Sequence, residues 1–207
     1  MKRYLLTGNG INIHHGGYDC CNASIILRTL ECFKNPNFPK HIITSDPIEV
    51  KCYIGYLFLE ISRIIKGGYD RYVSSTTERD SLLEFKNKYK DKKTLKITDI
   101  GFEDYYLIHD LLCHRIGITN PERYVVREAI KCCYLNAIYD NGNVNTLSHE
   151  YSPEFISWLQ EFDAIFTTNY DTNIEMATGV SVFHLHGDFE TKRAVYNPDS
   201  FRNQLSD

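Results

Sequence analysis

Three short apolar runs, each ending abruptly in polar, chemically capable residues, constrain this chain most. The first is near the start, where Arg3-Tyr4-Leu5-Leu6-Thr7 runs into Gly8-Asn9-Gly10-Ile11-Asn12-Ile13-His14-His15-Gly16-Gly17. The second spans Ala164 to Thr168 and continues into Asn169-Tyr170-Asp171. The third, starting at Ser181-Val182-Phe183, ends in His184-Leu185-His186-Gly187-Asp188. Runs this short and this rich in β-formers read as strands rather than helices. In a parallel α/β sheet, ligands sit just beyond the carboxyl ends of the strands. The three polar tails therefore predict one nucleotide-sized site built from both ends of the sequence.

The segment between these ends reads differently. Cys21 to Phe33 is a first helix, with Asn22 or Ser24 as its cap, and Asn35-Pro36-Asn37-Phe38-Pro39 breaks the chain after it. From about 46 to 140 the periodicity is helical with no clear strand. Ile48 to Ile65 follows Asp46-Pro47 and stops at Gly67-Gly68; Thr76 to Tyr89, Phe102 to Ile116 and Pro121 to Tyr139 supply three more helices. Asn141-Gly142-Asn143 is a turn. Ser152-Pro153-Glu154 opens a short helix through Phe162, and a helical turn near Asn173 to Ala177 separates the last two strands. Ala194 to Tyr196 is compatible with one more short strand. A block that long exceeds a simple crossover. The expected fold is one α/β domain over 1–207, with 1–45 and 141–207 forming a nucleotide-binding part and 46–140 an inserted helical subdomain.

Bulk properties exclude more than they assign. A net charge of -4 gives no reason to expect nucleic acid or an anionic membrane as partner. No run approaches the roughly 18 apolar residues of a membrane span. The chain starts straight into a strand without an apolar leader, so a cytoplasmic protein is expected. The seven cysteines include two adjacent pairs and no C-x-x-C, which favours reduced thiols and argues against a zinc ribbon. Tyr53, Tyr56, Tyr105, Tyr106, Tyr124, Tyr134 and Tyr139 in the helical block suit either a core or an oligomer interface.

Each polar tail admits two readings. Gly8 and Gly10 let a backbone turn tightly and bring its amides to an anion, but they also suit a plain strand-to-helix turn; Ile13 stands where a third glycine would complete G-x-G-x-x-G. His14 and His15 could touch phosphate or solvent. Asn169 can orient a hydroxyl or water and Asp171 can stabilise a cation, or Asp171 can simply cap the next helix. His184 and His186 would share one face of a strand, and Gly187 opens space beside His186. Histidine is the usual general base near neutrality. A metal site would need a third ligand that the nearby sequence does not offer.

In their order, the three motifs resemble those of the SIR2-like family, the relatives of the sirtuins. Gly8-Asn9-Gly10-Ile11-Asn12 with Gly16 downstream is similar to the family's G-A-G-x-S loop, Asn12 standing for the serine. Asp19 stands near the acid of the following P-D-F-R element, whose Pro, Phe and Arg are absent. Thr167-Thr168-Asn169-Tyr170-Asp171 resembles T-Q-N-x-D, Thr168 standing for the glutamine, and with Glu175 it is closer to the bacterial SIR2-like proteins of antiviral defence. His186-Gly187 matches the H-G of that family. The resemblance covers both ends of the chain and leaves the helical middle unassigned.

The resemblance implies a Rossmann-like sheet; with only 20 residues after Gly187, either a fragment or a minimal domain is expected. It implies NAD as substrate, with Gly8, Asn9, Gly10, Ile11, Asn12, Gly16, Asp19, Thr168, Tyr170 and Gly187 binding it. Asn169, Asp171 and His186 would be catalytic. The sirtuin zinc module of four cysteines follows the H-G, and here no cysteine follows Cys133. Deacylation is therefore not expected, nor zinc; NAD+ glycohydrolysis by an anti-phage effector is. Homo-oligomers or a defence-system partner protein are compatible with that role. Two alternatives remain: a non-catalytic NAD or ADP-ribose sensor or scaffold, and an AbiH-like abortive-infection protein, which shares the G-N-G loop and H-x-H-G.

Overall fold

The structure is a computed structural model; it describes residues 2–15, 21–31 and 50–189, apart from the side chains of Val50 and Lys51. Strand β1 is Tyr4–Thr7, followed by helices α1 (Gly10–His15), α2 (Asn22–Glu31), α3 (Val50–Ile65), α4 (Thr76–Tyr89), α5 (Asp104–Ile116), α6 (Glu122–Tyr139) and α7 (Pro153–Leu159). Strand β2 (Ala164–Thr167), helix α8 (Asn173–Thr178) and strand β3 (Val182–His184) close the described chain. The result is a mixed α/β fold with one small parallel sheet and many helices among the described residues. The possible strand Ala194–Tyr196 and the expected Asp46-Pro47 helix start lie outside the described residues.

Two compact units are present among the described residues: 2–15, 21 and 135–189 form one, and 22–31 with 50–134 the other. In the first, the sheet order is β1-β2-β3 and both pairings are parallel. Leu5, Ile165 and Val182 alternate onto one face, where they pack with Tyr151, Phe155, Leu159 and Ile174. Tyr4, Leu6 and Phe183 fall on the other face and are each more than half exposed. Local signals set the helix ends. Ser152 accepts the Phe155 N–H at 3.2 Å ahead of Pro153, and Gly179, at φ 70°, ends α8 in a left-handed conformation.

The stretch 10–15 departs from expectation. The glycine-rich segment reads as a loop to Gly17, yet the backbone turns into a short helix at Gly10. Ile11 packs against the core of the sheet and Asn12 is buried, so tertiary contacts organise a segment of poor helix propensity.

The helical unit follows its periodicity closely. Ser75 and Glu78 form a reciprocal capping box at the start of α4, and Gly67 at φ 86° follows the end of α3. Asn22 acts through its side chain, binding the Thr98 and Ile100 carbonyls and the Phe102 amide. Tyr105, Tyr106 and Tyr134 are core residues, whereas Tyr56 and Tyr124 stay about half exposed.

A polar cluster is buried in this unit. His109 is fully buried; its Nε2 lies 3.0 Å from the Arg123 carbonyl and its Nδ1 lies 2.7 Å from the Tyr53 hydroxyl. The carbonyl can only accept, so Nε2 carries the proton and Nδ1 accepts from Tyr53. Burial, outweighing the attraction of Asp110, holds the imidazole below the ordinary histidine value of 6.5. A depressed folded value means that the stability contributed by neutral His109 is complete above 6.5. It is lost as pH falls through that value toward the folded one. Urea midpoints are expected to drop between pH 7.5 and 5.5, and His109→Gln is expected to flatten that dependence.

Candidate functional site

The register aligns the three strand ends. Thr7 pairs with Thr167, and Thr167 with His184, so all three strands finish on the same row. The ladder extends one step further, with Thr168 N–H donating to the Thr7 carbonyl at 3.1 Å and Leu185 N–H to the Thr167 carbonyl at 2.8 Å. The polar tails therefore leave the sheet from one edge, although β1 and β2 are about 160 residues apart in sequence.

Close packing explains one glycine. A Cβ on Gly8 would lie 2.9 Å from Thr168 Oγ1, so any larger residue there would have to displace the Thr168 hydroxyl where the β1 and β2 tails meet. Gly10 differs: a Cβ there would meet no atom within 4 Å, leaving open space at the start of α1. Ile11 N–H bonds to the Gly8 carbonyl and Ile13 N–H to the Asn9 carbonyl, which forms the tight entry to α1. Gly16 and Asp19 lie outside the described residues.

Asn12 and Asp171 meet in a buried network. Asn12 Nδ2 donates to Asp171 Oδ2 at 2.6 Å, and the Tyr151 hydroxyl donates to Asn12 Oδ1 at 2.9 Å. Asp171 Oδ1 accepts both the backbone N–H of Asn173, at 3.2 Å, and its Nδ2, at 2.6 Å. Asn173 in turn reaches the Val144 carbonyl and the Ser148 amide. Asp171 thus makes the local turn into α8 that its position allows, and its second oxygen ties β2 to the N-terminal segment. Burial pushes its carboxyl above the usual range, against the hydrogen bonds from Asn12 and Asn173 and the charge of His184. Burial chiefly, with the Asp171 and Glu175 charges, also holds the Tyr151 phenol well up, so it remains a donor.

Asn169 is fixed by its backbone alone. Its N–H donates to Thr167 Oγ1 at 3.1 Å and its carbonyl accepts from His184 Nδ1 at 2.9 Å. The carboxamide is partly exposed and makes no hydrogen bond to any described residue. Thr168 is exposed, whereas Tyr170 is buried and rings with Phe189 at 5.5 Å.

The two histidines of His184-Leu185-His186 do not share a strand face. Strand β3 stops at His184, the chain turns through Leu185 and His186, and Gly187 takes φ 81° with its N–H on the His184 carbonyl. His184 points to Glu175 Oε1 at 2.7 Å. His186 goes elsewhere: its ring lies 6.4 Å from that of Tyr170, and its Nδ1 is buried without a hydrogen-bond partner among the described residues. His15 stacks on Phe155 at 3.6 Å and is held below its ordinary value by burial and by His14, which is exposed.

Of the site residues expected from sequence, Gly8 and Thr168 are in contact, Asn12 and Asp171 are bonded, and the Asn169 carboxamide and the buried His186 Nδ1 have no hydrogen-bond partner among the described residues. Tyr151 and Asn173 carry the network without having been singled out. An Asp-x-Asn pair before a helix is a local signal that could have found Asn173; Tyr151 has none, since its partner is 139 residues away. No family model, curated protein or solved structure matches the chain. Among the described residues, no group of three or more His, Cys, Asp or Glu could hold a metal ion, and no helix is long and apolar enough to cross a membrane.

Proposed function

We propose that this chain is a SIR2-like NAD+ glycohydrolase, cleaving NAD to nicotinamide and ADP-ribose and acting in anti-phage defence by depleting NAD. The observation that supports it best is that the chain segments just beyond the aligned ends of β2 and β3 each carry a side-chain group without a hydrogen-bond partner among the described residues: the Asn169 carboxamide and the buried Nδ1 of His186. Breaking the nicotinamide–ribose bond develops positive charge at the anomeric carbon, which a correctly aimed amide oxygen stabilises. Water then adds to that carbon, and a neutral imidazole takes its proton as nicotinamide leaves. The open space at Gly10 suits the phosphates of the same ligand. The defence role follows from the resemblance of the motifs alone.

A second reading, a non-catalytic NAD or ADP-ribose sensor, is favoured by Asp171. Its oxygens accept from Asn12 and Asn173, which supports a role for this carboxylate in holding the fold. Nicotinamide release separates the two. The full chain incubated with NAD should release nicotinamide, and Asn169→Ala should lower kcat by about 10²-fold or more. Equal turnover by the variant would remove Asn169 from catalysis. ADP-ribose binding without any release would favour the sensor.

A further inference from the structure

His184 sits between two acceptors. Its Nδ1 faces the Asn169 carbonyl at 2.9 Å, which cannot donate, and its Nε2 faces Glu175 Oε1 at 2.7 Å. A ring with acceptors at both nitrogens is satisfied as an imidazolium. Only 8% of the His184 side chain is exposed, so the ring is largely shielded from water, while Glu175, at 28%, stays in partial contact with it. Asp188 beyond β3 and Asp171 beyond β2 also lie within electrostatic reach. Burial opposes the extra proton, but the bonds to Glu175 and Asn169 and the charges of Glu175 and Asp188 outweigh it, holding His184 above its ordinary value.

This ring reaches both candidate groups through the backbone. Asn169 has its N–H on Thr167 Oγ1 and its carbonyl on His184, so both peptide groups flanking its Cα are pinned. The carbonyl of His184 itself accepts the Gly187 N–H and closes the turn that carries His186. We propose that Glu175 and His184 form a positioning pair, in which the charged imidazole held by Glu175 fixes the Asn169 backbone, and so the direction in which its side chain leaves it, and anchors the His186 turn. Neither residue touches the reacting atoms in this scheme. The functional consequence rests on the NAD+ glycohydrolase reading; the charge state of the ring does not.

The test uses the full chain with ¹⁵N-labelled histidine, following the His184 ring nitrogens, the Asn169 amide signals and nicotinamide release against pH. In the wild type, both ring nitrogens should be protonated at pH 7. Because the folded value is raised, activity should fall on the alkaline side as His184 loses its proton. Glu175→Gln should move the His184 titration down by about 1–3 pH units and lower kcat at pH 7 by about 10- to 100-fold with KM little changed. Turnover should recover as the pH drops to where His184 re-protonates, which a merely structural lesion would not show. A single protonated ring nitrogen in the wild type at pH 7 overturns the proposal without any variant. An unshifted His184 titration, or a pH-independent loss, in Glu175→Gln overturns it as well. If the wild type releases no nicotinamide, the glycohydrolase reading fails separately. The Asn169 amide signals then decide: movement with the His184 titration supports the pair, and no movement overturns it.

Discussion

His186→Ala is expected to lower nicotinamide release by about 10²- to 10⁴-fold, the range a positioned general base supplies, while leaving the protein as stable as before or slightly more so. The two halves of that expectation share one cause. The Nδ1 of His186 is buried with no partner among the described residues, and an unsatisfied buried nitrogen costs about 1–3 kcal/mol. Removing it relieves that cost. A histidine retained for the fold would behave in the opposite way, since its loss would break a hydrogen bond. Steady-state assays with NAD, paired with thermal melting, separate the two roles. Full turnover in His186→Ala would remove the imidazole from the reaction, and a large fall in melting temperature would make it a structural residue.

Asp171→Ala is expected to destabilise the α/β unit by about 3 kcal/mol or more, because it strands several buried donors at once. Asn12 Nδ2, Asn173 N–H and Asn173 Nδ2 all donate to its two oxygens. Asp171→Asn should recover only part of the loss. An amide offers one acceptor oxygen, and its NH2 would confront another donor. The chain has a single tryptophan, and Trp158, itself exposed at the surface, stacks on the core residue Phe155. Its fluorescence therefore reports this unit directly during urea unfolding. A midpoint for Asp171→Ala within error of the wild type would show that the network contributes little.

Where local chemistry is decisive, the elements were legible in the residues. The Ser152-Pro153 start and the Gly67 stop mark helix ends through contacts within a few positions. Short runs of consecutive apolar residues mark β1, β2 and β3. The stretch 10–15 was not legible in this way, because Ile11 and Asn12 become helical through contacts made with the core and with Asp171. Nor was the divergence of His184 and His186. A strand reading puts them on one face, but the left-handed Gly187 and the hydrogen bond back to the His184 carbonyl turn the chain first.

By itself, the sequence determined that three short strands end in polar residues able to do chemistry, and that a helical block stands between the first and the last two. Period and turn chemistry are properties of neighbouring residues, so they can be read along a line. Only the tertiary structure decided what each polar residue does. It spent Asp171 and Asn12 on each other, gave His184 to Glu175 and the Asn169 carbonyl, and left the Asn169 carboxamide and His186 Nδ1 available. Those assignments depend on which donors and acceptors meet across as many as 159 positions of chain, and a buried hydrogen bond is satisfied or lost in space rather than in sequence.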